Sequence, residues 1–111
     1  MPNPVQPDEW DACAAAPEFH RILFENDSVR TLETIIRPGQ IVPLHTHCWC
    51  GVSTVLSWSD MVRRDENGVV TFDSRASGVR REPGEAMWAE PFALHTLENV
   101  GDRAIHIVTV E

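Results

Sequence analysis

The chain has 111 residues and a formal net charge of −8, enough for one hydrophobic core and too short for a second globular unit. The acidic balance excludes the basic surface that nonspecific nucleic-acid binding needs, and no run approaches the roughly 20 apolar residues that span a bilayer. Met1 to Pro7 carries neither the basic region nor the apolar stretch of a secretory signal, and an odd set of three cysteines disfavours a disulfide framework, so a soluble cytoplasmic protein with reduced thiols is expected, without nucleic-acid or membrane partners.

Val5 to Ala16, where Pro7-Asp8-Glu9-Trp10 precedes an alanine-rich run, predicts one short helix stopped near Pro17. From His20 to Glu25 the pattern becomes strand-like. Asn26-Asp27 is a turn, and Val29 to Ile36 is rich in Thr, Ile and Val. Arg37-Pro38-Gly39 is a second turn, from which Gln40 to His47 reads as a strand. Gly51 to Trp58 follows as a further strand. Met61 to Glu66 and Val69 to Asp73 flank Asn67-Gly68, the strongest hairpin signal present. Glu82-Pro83-Gly84 leads into Glu85 to Glu90, and the strands His95 to Asn99 and Arg103 to Val110 flank a turn at Val100-Gly101-Asp102. Short strands at regular spacing predict an all-β sandwich or barrel with a short N-terminal helix. The expected boundaries are 1–28 for an N-terminal segment carrying the helix and first strand, and 29–111 for the barrel.

The chemistry concentrates at His45-Thr46-His47. Side chains two apart on a strand share a face, so two imidazoles can meet one ion. An isolated pair of this kind more often serves the surface or a hydrogen bond, but each of two turn-then-strand units here ends in histidine, and the second brings His95. Three ring nitrogens would leave positions open for water or substrate, the pattern of a catalytic metal.

These residues resemble the two motifs of the cupin superfamily. Gly39, His45 and His47 match the first, G-x5-H-x-H-x3-4-E-x6-G, in identity and spacing. Gly84, His95 and Asn99 match the second, G-x5-P-x-G-x2-H-x3-N. The resemblance spans about 29–110 and looks closest to the small single-domain cupins. It implies a double-stranded β-helix, or jelly-roll, barrel, a homodimer, and one divalent transition metal per chain held by His45, His47 and His95, with Fe, Zn, Ni and Mn not distinguished. Where the first motif has Glu, this chain has Gly51 or Val52; where the second has Pro and Gly, Glu90 and Phe92 stand.

Three neutral imidazoles leave the full 2+ charge on such an ion, which favours an anionic ligand. The three-histidine thiol dioxygenases and β-diketone-cleaving dioxygenases resemble this arrangement, the former more weakly, because they use an active-site tyrosine and this chain has no Tyr. Cys48, Cys50 and Glu90 are the weaker candidate ligands: on a continued strand both thiols point away from the histidine face, and Glu90 lies on the approaching turn. Trp49 and Phe92 are candidate pocket walls. His20 and His106 match no motif and are expected to be structural. The expected function is a metal-dependent enzyme of dioxygenase type acting on a small anionic organic substrate; the alternative is a metal- or small-ligand-binding or sensor module without turnover, since no general acid or base is evident beside the histidines.

Overall fold

The computed structural model describes residues 7–111. A one-turn helix, α1 (Ala12–Ala15), is followed by β1 (His20–Glu25), β2 (Arg30–Ile36), β3 (Ile41–His47), β4 (Gly51–Ser57), β5 (Met61–Asp65), β6 (Val70–Asp73), a second one-turn helix α2 (Ser74–Ser77), β7 (Ala86–Ala89), β8 (Phe92–Asn99) and β9 (Ile105–Val110). Of the expected helix, Val5 and Gln6 lie outside the described residues, and only its last turn is helical, started by the Asp11 carboxylate, which accepts from the Cys13 amide at 3.1 Å. The helix α2 has no counterpart among the sequence expectations.

The strands form two antiparallel sheets, one ordered β1-β2-β9-β4-β7 and the other β3-β8-β5-β6. Alternation assigns each strand an inner face: Leu32, Thr34 and Ile36 on β2, Ser53 and Val55 on β4, Ile105, Ile107 and Thr109 on β9 all turn inward. The buried core gathers Ala16, Ile36, Val42, Met61 and Ile105, with Trp58, Phe72 and Leu97 packed on it. Ile36 pairs with Ile105 and Val42 with Leu97, so the two sheets close over the core at one end of the barrel. From there β3 runs on to the histidines.

The motif glycines Gly39 and Gly84 take φ of +82° and +91°, left-handed values that a side chain disfavours, and each turns the chain into its strand. Asn99 has a structural task. Buried, it donates from Nδ2 to the Ile36 and Arg103 carbonyls at 2.8 and 2.7 Å and accepts from the Gly101 amide at 3.0 Å, tying the β8–β9 turn to β2.

The N-terminal segment is stitched into the barrel. Thr46 donates its amide to the Trp10 carbonyl at 2.6 Å, Asp11 bridges β3 at Thr46, and β1 pairs along β2. Asp11 also anchors Arg30: its two carboxylate oxygens each accept from a guanidinium nitrogen at 2.9 Å, while Glu111 accepts from Arg30 Nε at 2.9 Å. All three side chains are buried. One cation between two carboxylates thus joins the start of the described chain, β2 and the C-terminal residue.

Candidate metal centre

Strict alternation would set Val42 and His45 on opposite faces of β3. The strand avoids this with a bulge: the three-residue step from Val42 to His45 opposes the two-residue step from Leu97 to His95 on β8. Pro43 sits inside the bulge, where its missing N–H costs no ladder bond. The shift turns His45 inward with Val42, and His45 then pairs directly with His95. Their ring centres are 4.2 Å apart, and those of His45 and His47 are 5.0 Å apart.

A fourth ring joins them. His20, the first residue of β1, lies with its ring centre 4.9 Å from His45 and 5.4 Å from His47, and one ligand nitrogen from each of His20, His45 and His47 falls within 4.8 Å of the others. The sequence assigns His20 a structural part; the fold sets it in the cluster, because β1 pairs with β2 so that His20 stands opposite the inward-facing Thr34, and the Ala16 carbonyl at the end of α1 holds the ring.

Three of the rings are oriented alike. His20 Nδ1 lies 3.1 Å from the Ala16 carbonyl, His45 Nδ1 2.7 Å from that of Pro43, and His95 Nδ1 2.7 Å from that of Ala93. A carbonyl oxygen only accepts, so each Nδ1 carries the proton and each Nε2 keeps its lone pair. This is how metal-binding imidazoles are held, with the far nitrogen fixed by a backbone acceptor. Burial, and then repulsion from neighbouring imidazoles, pull His20 and His95 down to about 4; burial lowers His45 as well and places His47 well below the ordinary value. The rings are therefore neutral near pH 7, and an ion need not displace protons to bind.

The cluster opens into a cavity of about 440 Å³ inside the barrel, within the usual range for small-molecule sites. Trp49 and Phe92 both line it, Phe92 with its ring centre 5.3 Å from that of His95 and 6.3 Å from that of His47. Trp49 lies beyond the end of β3 and stacks under Arg30, whose Cζ is 4.8 Å from its ring centre. Glu90 also reaches the cavity edge, exposed, with its carboxylate accepting from Trp88 Nε1 at 2.9 Å. Cys48 is half-buried and Cys50 exposed, and neither lines the cavity; the Cys50 thiol points at Glu90 Oε2, 3.9 Å away. His106 faces outward, where its Nε2 meets Glu33 at 2.9 Å.

The missing first-motif carboxylate has a steric reason. Gly51 lies against the backbone of Val110 and Glu111, and a Cβ there would collide with the Val110 carbonyl. Val52 stands on the outer face beside Trp88 and Val110. Glu111 takes up the inner space, its carboxyl raised by burial against the pull of Arg30.

No family model and no curated protein matches the chain. Solved structures do. A cupin domain from Bordetella pertussis Tohama I superposes with a TM-score of 0.65 at 18% identity, over 83% of this chain and 88% of that one. A conserved protein with a double-stranded β-helix domain from Klebsiella pneumoniae gives 0.55 at 20% identity, over 96% and 81%. The polyketide cyclase RemF from Streptomyces resistomycificus gives 0.54 at 22% identity, over 86% and 66%. With two facing antiparallel sheets, the chain has the double-stranded β-helix fold seen in those cupin structures.

Proposed function

We propose that the chain binds one divalent transition metal through Nε2 of His45, His47 and His95, with His20 as a fourth donor, and acts with it on a small anionic organic ligand in the barrel cavity. The observation that supports this most is the shared orientation of His20, His45 and His95, each with Nδ1 committed to a backbone carbonyl. All-imidazole ligation suits a transition metal such as Fe, Zn or Ni better than Mg or Ca. When bound, such an ion supplies Lewis acidity and a template for a chelating anion, with its charge undiminished by a protein carboxylate. The chain's own contribution is to keep the imidazoles neutral and aligned, and to wall the ligand with Phe92 and Trp49 away from bulk water.

The finer reading is a dioxygenase-type reaction. Oxygen uptake by the Fe(II)-loaded protein with a panel of β-dicarbonyls and thiols tests it: turnover that depends on His45 and His95 supports catalysis, and tight ligand binding without oxygen uptake supports a sensor or binding module. One observation favours the second outcome. Of the carboxylates at the cavity, Glu111 is engaged by Arg30 and Glu90 by Trp88, so neither stands ready to move a proton.

The same proposal includes a homodimer. A row of register partners crosses the outer face of the larger sheet: Trp88 beside Val52, Val52 beside Val110, Val110 beside Thr31, and Thr31 beside Phe24. Trp88 is 63% and Phe24 55% exposed. A second copy covering this apolar row would satisfy it. A cytoplasmic location is also proposed, supported by Cys13, Cys48 and Cys50, which form no disulfide. Among the described residues no helix is long and apolar enough to cross a membrane.

A further inference from the structure

Arg63 is a charge in the cavity that metal binding does not use. It lies on β5, in register with Phe72 of β6 and Leu97 of β8, and lines the same cavity as the histidines. Its Cζ sits 4.2 Å from the ring centre of Phe92 and 5.3 Å from that of Phe72. Its Nε is buried and has no hydrogen-bond partner. Among the described residues, ion pairs engage Arg21, Arg30, Arg64, Arg75, Arg80 and His106, and none engages Arg63. A second buried donor without a partner, Trp58 Nε1, belongs to a residue lining the same cavity.

Arg63 is half-buried, and withdrawing a cation from water with no counter-charge is costly for a fold. Here the Phe92 and Phe72 rings lie against the guanidinium and can stabilise its charge through their quadrupoles. The rings supply no hydrogen-bond acceptor, and Nε has none from elsewhere. That planar fork is shaped for a carboxylate, which takes two parallel hydrogen bonds from it. The position also suits a ligand that reaches the histidines. Phe92 touches both Arg63 and His95. Arg30 offers no such fork, since Asp11 and Glu111 already occupy it.

We propose that Arg63, with the Trp58 indole N–H as a further donor, is the specificity-determining subsite of the cavity and binds the carboxylate of a small organic ligand whose other end reaches the histidines. The last clause rests on the metal reading given above; carboxylate capture by Arg63 does not.

Calorimetric titration with succinate and its neutral isostere succinamide, in metal-free and zinc-loaded protein, tests it. Wild type should prefer succinate about tenfold or more in both forms. Arg63→Met should weaken succinate about 10- to 100-fold, the range expected for charged hydrogen bonds, leave succinamide unchanged, and raise the melting temperature of the ligand-free protein because a half-buried charge without a counter-charge is gone. Arg63→Lys, which keeps the charge without the fork, should fall between. No preference in wild-type metal-free protein would overturn the assignment without recourse to any variant. So would a preference that survives Arg63→Met, or a lower melting temperature in that variant, which would make the guanidinium a packing element. If zinc fails to bind while metal-free protein still shows Arg63-dependent preference, the metal reading fails and the carboxylate subsite stands.

Discussion

Replacing Asp11 with asparagine isolates the buried ion triad. Asparagine caps a helix about as well as aspartate, so the α1 cap survives while the charge facing Arg30 is lost. The asparagine oxygen that keeps the Cys13 cap can still accept from Arg30 Nη1, but the 2.9 Å bond from Nη2 gives way to an amide N–H facing a guanidinium N–H, in a site where the Arg30 and Asp11 side chains are 5% and 3% exposed. Breaking one side of a buried pair costs about 3–5 kcal/mol, and because Glu111 still faces Arg30, a loss of about 3 kcal/mol is expected. That is a large share of the roughly 6–17 kcal/mol available to a domain of this length. At about 4 °C per kcal/mol, the melting temperature should fall by about 12 °C. Differential scanning calorimetry of Asp11→Asn, Arg30→Met and the double variant would read the coupling directly. A loss under about 1 kcal/mol in Asp11→Asn, a value typical of exposed pairs, would refute the claim that the triad clasps the barrel. Asp11→Ala, which removes the cap as well, should also weaken metal binding more than Asp11→Asn, because the end of α1 supplies the Ala16 carbonyl that orients His20.

Stability of the metal-free protein should drop in mild acid. His20 and His95 have folded-state values near 4 against an ordinary 6.5, so the unfolded chain takes up protons first; their contribution is complete above pH 6.5 and is lost as pH falls toward 4. Between pH 7 and 5 each should cost about 2 kcal/mol, measurable by urea unfolding, and an unchanged midpoint over that interval would contradict the burial argument. Gly51→Ala should destabilise strongly, since its Cβ meets the Val110 carbonyl, whereas Val52→Glu should leave metal affinity unchanged because the side chain faces out; tighter metal binding in Val52→Glu would show that the outer-face placement is wrong. Trp88→Glu should convert a dimer to monomers in sedimentation experiments, and an unaltered dimer would move the interface elsewhere.

Most of the strands were legible because Thr, Val and Ile runs are punctuated by turns whose chemistry is local: Arg37-Pro38-Gly39, Asn67-Gly68 and Glu82-Pro83-Gly84 each end or start a strand where expected. The helix α2 was not read, although Asp73 caps it and Gly78 closes it in the left-handed conformation; four residues are too few to show a helical period. His45, His47 and His95 carry a spacing signal. His20 carries none, since its place depends on an α1 carbonyl and a sheet edge. The Arg30–Asp11–Glu111 triad is made of contacts 19 and 81 positions apart in the chain, which no local pattern encodes. Arg63 did leave a trace: on β5 it shares parity with the buried Met61, and an arginine on the inward face of a strand is a reason to look for a ligand.

Metal titration of wild type and five single histidine variants, followed by the Co(II) absorption spectrum, tests the central claim most directly. The account predicts one ion per chain in an all-nitrogen protein shell, affinity lowered by about tenfold or more in His45→Ala, His47→Ala, His95→Ala and His20→Ala, and no change in His106→Ala, whose ring faces Glu33 on the outer surface. Equal losses in all five variants, sulfur ligation from Cys48 or Cys50, or binding indifferent to His45 and His95 would contradict it.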